Sequence, residues 1–119
     1  MQGRRSGRLD ERVAERVADT MFALSTPSRV QILGCLIDAP HSVSELTEQL
    51  DMEQSAISHQ LRVLREHSLV KGEWIGRTHV YSLYDEHVVS LLEEALRHVE
   101  QRSRGRGRRA RSSSRTARG

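Results

Sequence analysis

One change of hydrophobic period constrains this chain more than any other feature. From Asp10 to Arg65 the apolar residues recur three and four positions apart, which is helical spacing. From Leu69 to Tyr84 the period drops to two. Leu69-Val70-Lys71-Gly72-Glu73-Trp74-Ile75 and Thr78-His79-Val80-Tyr81-Ser82-Leu83-Tyr84 are β-rich runs joined through Gly76-Arg77, so they read as a hairpin with a basic tip. The expected class is therefore mainly α with a β-hairpin, the hairpin following a series of helices.

Local signals divide the helical part. A first helix starts near Asp10 and carries Val13, Val17, Met21 and Leu24 on one stripe. Thr26 suits the N-cap of a second, and Pro27 its first position, where a missing N–H costs nothing. That helix is expected to turn Val30, Leu33 and Ile37 inward and to stop before Pro40. Ser42-Val43-Ser44-Glu45 is a capping box, opening a short helix that ends near Leu50. Asp51-Met52-Glu53 makes a tight turn, and a fourth helix follows from Gln54 to about His67. A short helix, a tight turn and a second helix form a helix-turn-helix, and a hairpin directly behind it is a wing.

The fourth helix has two unlike faces. Ile57, Leu61 and Leu64 share one of them, while Ser55, Ser58, His59 and Arg62 share the other, which holds no carboxylate. Small hydroxyls, amides and a guanidinium on one convex face suit base edges and phosphates in a major groove. Gln54, Ser55, Ser58 and His59 are the expected base readers; Arg62, Lys71 and Arg77 are expected on the backbone. The plain alternative is a solvated helix and a solvated hairpin tip, but helix-turn-helix plus wing in this order favours DNA.

Charge is divided along the chain. Residues 102–119 hold eight Arg and no acid, which leaves 11 basic against 16 acidic side chains in the rest. We expect a flexible basic arm over residues 1–8, a DNA-binding and dimerisation domain over 9–101, and a disordered Arg/Ser/Gly-rich tail over 102–119 that adds a weak, sequence-independent attraction to phosphates. Cys35 is the only cysteine, and no stretch has the length of a membrane span or the form of a leader; both fit a cytoplasmic protein away from membranes. No glycine-rich phosphate loop, nucleophile elbow or carboxylate pair points to an enzyme. The last helix, from about Glu86 to Gln101, shows Val88, Leu91, Leu92, Ala95, Leu96 and Val99, more apolar surface than a terminal helix leaves to water. A second copy of the chain is the simplest cover.

Thr26-Pro27-Ser28-Arg29, Gln54-Ser55-Ala56-Ile57-Ser58-His59-Gln60-Leu61 and Val80-Tyr81-Ser82-Leu83-Tyr84-Asp85 together resemble the ArsR/SmtB family of metal-responsive transcriptional repressors. The resemblance spans roughly Val13 to Gln101. From Met52 to Arg65 and from Tyr81 to His87 it looks most like the actinobacterial nickel/cobalt-sensing branch. It implies a homodimeric winged helix with the first and last helices at the dimer interface. It also implies an operator of imperfect dyad symmetry, with a metal as the usual inducer.

The last helix carries Asp85, His87 and His98. The two His are eleven residues apart, on one face but about 16 Å apart along the axis. Zinc–ligand bonds are about 2 Å, so one helix cannot bring both to a single ion. Two antiparallel copies can, and Asp-x-His followed by a distant His resembles the family's sensing motif. A divalent nickel, cobalt or zinc ion is the implied cofactor. The motif's fourth ligand position holds Gln101, a poor donor, and Glu100 lies on another face. The same residues also have plain roles: Asp85 as an N-cap, and both His as a polar rim of the interface. The family's other common site needs paired cysteines where this chain has Ser42-Val43-Ser44-Glu45. His41, His67 and His79 read as surface or hydrogen-bonding residues, and Cys35 as a partly buried structural thiol. The runner-up reading is a DNA-binding regulator with a degenerate metal site, constitutive or controlled by a partner protein. A protein-docking module is the rival from another class.

Overall fold

The computed structural model describes the backbone of residues 4–5 and 8–110 and the side chains of residues 8–103. Asp10 accepts a hydrogen bond from the Arg12 amide at 2.8 Å and so opens α1 (Glu11–Ala23). Pro27 begins α2 (Pro27–Asp38), with Thr26 at the N-cap in extended conformation. The Thr26 hydroxyl makes no cap bond, and its Oγ1 is buried without a partner among the described residues. Both halves of the predicted capping box are present at α3 (Val43–Leu50): Ser42 Oγ accepts from the Glu45 amide, and Glu45 accepts from the Ser42 amide at 2.8 Å. Asp51, in the left-handed region at φ 54°, ends α3 and turns the chain toward α4 (Gln54–Glu66). A short polar side chain tolerates that conformation better than most.

The hairpin is β4 (Val70–Ile75) against β5 (Thr78–Leu83), closed by Gly76-Arg77. Gly76 has φ +64°, the first turn position at which a two-residue hairpin favours glycine. A third strand, β3 (His41–Ser42), pairs with β5 and makes β5 central; two residues are too few for a period, so the sequence showed no sign of it. Ile32, Leu33, Leu46, Ile57, Leu61, Leu64 and Val70 are fully buried where α2, α3, α4 and the sheet meet. Val88 and Leu92 of α5 (Glu86–Ala110) close the core from the far side.

Three expectations need correction. Val30 is exposed, and α2 instead buries Arg29, Ile32, Leu33 and Leu36. The helix is rotated relative to the expected face because the Arg29 cation turns inward to reach the carbonyls that end α1. The α5 helix runs to Ala110 rather than stopping at Gln101, so the expected disordered tail is helical backbone over residues 102–110. No proline interrupts that stretch, and an established helix gains one hydrogen bond per added residue; residues 111–119 lie outside the described residues. In the expected flexible arm, β1 (Arg4–Arg5) pairs with β2 (Arg8–Leu9). Such a short ribbon has no apolar alternation to reveal it, and residues 1–3 and 6–7 lie outside the described residues.

Gly72 is needed for a close approach. A Cβ there would lie 2.4 Å from His79 Nε2. His79 cannot simply swing aside, because its ring stacks on Trp74 at 4.5 Å and its Nδ1 meets the Tyr81 hydroxyl at 3.1 Å. Gly72→Ala is expected to break the stack and lower stability by about 1 kcal/mol. Trp74 is the only tryptophan, so a change in its emission with an unchanged helix signal in circular dichroism checks this; unchanged emission and melting temperature would refute it.

Candidate nucleic-acid interface and metal centre

The α4 helix is anchored on its apolar side by Ile57, Leu61 and Leu64. This fixes the other side outward: Gln54, Ser55, Ser58, His59 and Arg62 are all exposed. Lys71 is exposed on β4, and Arg77 is exposed at the hairpin turn. The ion pairs among the described residues are Asp85–His87 and Glu94–Arg97, so Arg62, Lys71 and Arg77 keep their charge free for an outside partner there. All seven predicted DNA contacts are thus on the surface. They carry hydrogen-bonding groups on the helix and cations on helix and wing, which is what a groove lined by phosphates requires.

At the start of α5, Asp85 Oδ1 accepts from the Val88 amide at 3.1 Å and caps the helix. The other carboxylate oxygen lies 3.6 Å from His87 Nδ1. The Val88 amide, aided by His87, holds the Asp85 carboxyl below the usual carboxylate range and outweighs the opposing effect of desolvation. Asp85 is therefore anionic throughout the neutral range. The His87 side chain is 97% exposed, and His98, Glu100 and Gln101 are exposed farther along the helix. The structure brings Asp85 and His87 together and leaves His98 apart from them. Among the described residues of a single chain, no three His, Cys, Asp or Glu side chains gather to hold an ion. The same helix keeps Leu96 (46% exposed) and Val99 (57%) in solvent, and α1 does so with Val17, Met21 and Phe22.

The remaining His and the thiol have local partners. His41 is buried between the Ala39 carbonyl and Gln49, and His67 Nδ1 meets the Val63 carbonyl. Burial, with Asp38 nearby, pushes the half-buried Cys35 thiol up, away from the reactive thiolate. Sequence reasoning missed two groupings. One is the Trp74–His79–Tyr81 stack on the wing. The other joins Arg29 to Gln60, for which there was a signal: Arg29, Ile32, Leu33 and Leu36 fall at i, i+3, i+4 and i+7.

The profile of the bacterial regulatory proteins of the arsR family matches residues 26–71. The HTH-type transcriptional regulator NmtR of Mycobacterium tuberculosis is 54% identical over 99 residues, which cover 83% of this chain and 82% of that protein. The chain belongs to the ArsR family. A second relative, the transcriptional repressor SmtB homolog of Synechocystis, is 38% identical over 88 residues, 74% of this chain and 67% of that one. The solution structure of apo-NmtR superposes with a TM-score of 0.69 at 52% identity, covering 85% of this chain and 87% of that chain. The homodimeric winged helix-turn-helix DNA-binding domain of a Mycobacterium bovis protein shares the fold alone, with 21% identity, 94% and 100% coverage and a TM-score of 0.74. This ArsR-family chain is thus a winged helix-turn-helix and a DNA-binding transcriptional regulator, not an enzyme. Among its described residues no helix is long and apolar enough to cross a membrane.

Proposed function

We propose that this regulator acts as a homodimer that represses from a pseudo-palindromic operator and releases it when a divalent transition metal binds between the subunits. The observation that carries the metal reading is the exposed Asp85–His87 pair at one end of α5, with His98 exposed on the same helix and out of reach within one chain. One carboxylate and two imidazoles form a donor set suited to zinc, nickel or cobalt. Asp85 and His87 with His98 of the partner subunit would make one such set, and the dyad would repeat it. A bound ion would supply a rigid link between the two α5 helices.

The chain's own residues do the rest. Asp85 caps α5, so its position is tied to the start of that helix, and Val88 and Leu92 fix the helix on the core. A change in how the two α5 helices meet therefore changes how the two α4 helices are presented. Successive major grooves on one face of DNA lie about 34 Å apart, and a dimer whose reading helices match neither that spacing nor a multiple of it cannot seat both at once. On DNA, Gln54, Ser55, Ser58 and His59 read base edges, Lys71 and Arg77 hold phosphates, and Arg62 holds a phosphate or reaches an adjoining guanine edge from α4.

Calorimetric titration of the purified protein with zinc, nickel and cobalt tests this, alongside His98→Ala. The expected result is saturation at one ion per chain, with affinity reduced at least about tenfold in the variant, since losing even an outer-shell partner of a metal ligand typically costs that much. Binding indifferent to His98 would refute the intersubunit site. It would also favour the second reading, a regulator whose metal site has decayed and which is constitutive or answers to a partner protein. Gln101 at the fourth ligand position is the feature that keeps that reading in play.

A further inference from the structure

Arg29 is a buried cation, 8% exposed, with no carboxylate beside it among the described residues. Its acceptors are uncharged oxygens on two other helices. Nε donates to the Ala23 carbonyl and Nη2 to the Phe22 carbonyl at 3.3 Å, both in the last turn of α1. Nη1 donates to Gln60 Oε1 at 3.0 Å, midway along α4. The arrangement answers a local need. The next helix begins with Pro27, which has no amide to return to the Ala23 carbonyl, and the last turn of α1 has no basic residue of its own. Arg29 fills both gaps from α2, placing a positive charge at the negative end of α1. The planar guanidinium can direct several donors at fixed angles at once, which an ammonium on a flexible stem cannot.

We propose that Arg29 is a positioning residue: a strut between the end of α1 and Gln60 that sets the angle at which α4 meets DNA. Neither residue needs to touch a base. Arg29 is inside the protein, and Gln60 lies between the buried row and the exposed row of α4. The strut also gives α1, whose outer face carries exposed Val17 and Met21, a direct mechanical route to the DNA-reading helix. This inference rests on α4 being that helix. Should the native protein select no sequence at all, that reading fails, and the strut is left with nothing to position.

The test uses the duplex that the native full-length chain selects from a random-sequence pool, and a scrambled duplex of equal length. Affinity for both is measured for the native chain, Arg29→Lys, Gln60→Met, the double variant and Gln60→Glu. Each of Arg29→Lys and Gln60→Met is expected to lose about tenfold on the selected duplex and nothing on the scrambled one. The double variant should lose no more than the worse single, because both cut one link. Gln60→Glu keeps an acceptor for Arg29 and should keep the ratio between the two duplexes, even if its charge weakens both. Unchanged selected-duplex affinity in Gln60→Met overturns the proposal. So do equal losses on both duplexes, additive losses in the double variant, or a Gln60→Glu ratio as poor as that of Gln60→Met. The Gln60 pair decides the matter even if Arg29→Lys does not fold.

Discussion

Leu96→Glu is expected to yield a folded monomer that no longer holds its operator. In the single chain Leu96 already faces water, so a carboxylate there removes little from the core formed by Ile32, Leu33, Leu46, Ile57, Leu61, Leu64 and Val70. In a dimer closed by α1 and α5 the same carboxylate would enter the seam twice, once from each copy. Burying unpaired charge costs several kcal/mol per ion even after relaxation. A dimer constant therefore falls by more than about a hundredfold, since each 1.4 kcal/mol is a factor of ten. The DNA consequence is larger. Two linked half-sites bind about 10²- to 10⁴-fold more tightly than one through effective concentration alone, and a monomer forfeits that gain. Sedimentation equilibrium, circular dichroism and operator titration of the same preparation check the three parts. A Leu96→Glu protein that remains dimeric and binds the operator normally would place the interface elsewhere.

How far such features could be read from the chain depended on the kind of signal. Elements with a repeating pattern or a local hydrogen-bond code were legible: the capping box at Ser42 and Glu45, the Pro27 start, the row Ile57, Leu61, Leu64, and the alternating hairpin. The exposed reading face of α4 followed from that row, because a helix anchored on one side must show the other. What escaped was set by contacts between distant residues. Placing Val30 rather than Arg29 inward treated charge as a surface property, when the Ala23 carbonyl, offered no amide by Pro27, made an inward guanidinium favourable. The two-residue β3 was invisible for lack of length. The wing stack depended on Gly72 lying under His79, a juxtaposition across strands that only their register reveals. At Asp85 the residue type was legible but its role was not exclusive: one carboxylate oxygen caps α5 while the other faces His87, so the plain role and the ligand role coexist.

Arg62→Ala should separate sequence reading from simple attraction to DNA. Arg62 lies one position beyond buried Leu61, so it is held at a fixed place on the outer face of α4, and no described carboxylate pairs with it. If it reaches a guanine edge or a phosphate fixed by the docking of α4, its loss costs about 1–3 kcal/mol, or roughly ten- to hundredfold in operator affinity. Lys71 and Arg77 lie on the edge strand and the hairpin turn, where contacts with backbone phosphate are the natural ones. Lys71→Ala or Arg77→Ala should weaken binding to all duplexes alike and reduce the slope of log affinity against log salt by about one each. The two classes differ in their response to salt as well as in size. At a salt concentration high enough to suppress phosphate contacts, the Lys71 and Arg77 variants should converge on the native protein, whereas the Arg62 variant should stay apart from it. Convergence of all three would mean that Arg62, like Lys71 and Arg77, holds phosphate only, leaving base readout to Gln54, Ser55, Ser58 and His59. A persistent gap for Arg62 alone would fix α4 as the helix in the groove, with the wing as the electrostatic arm beside it.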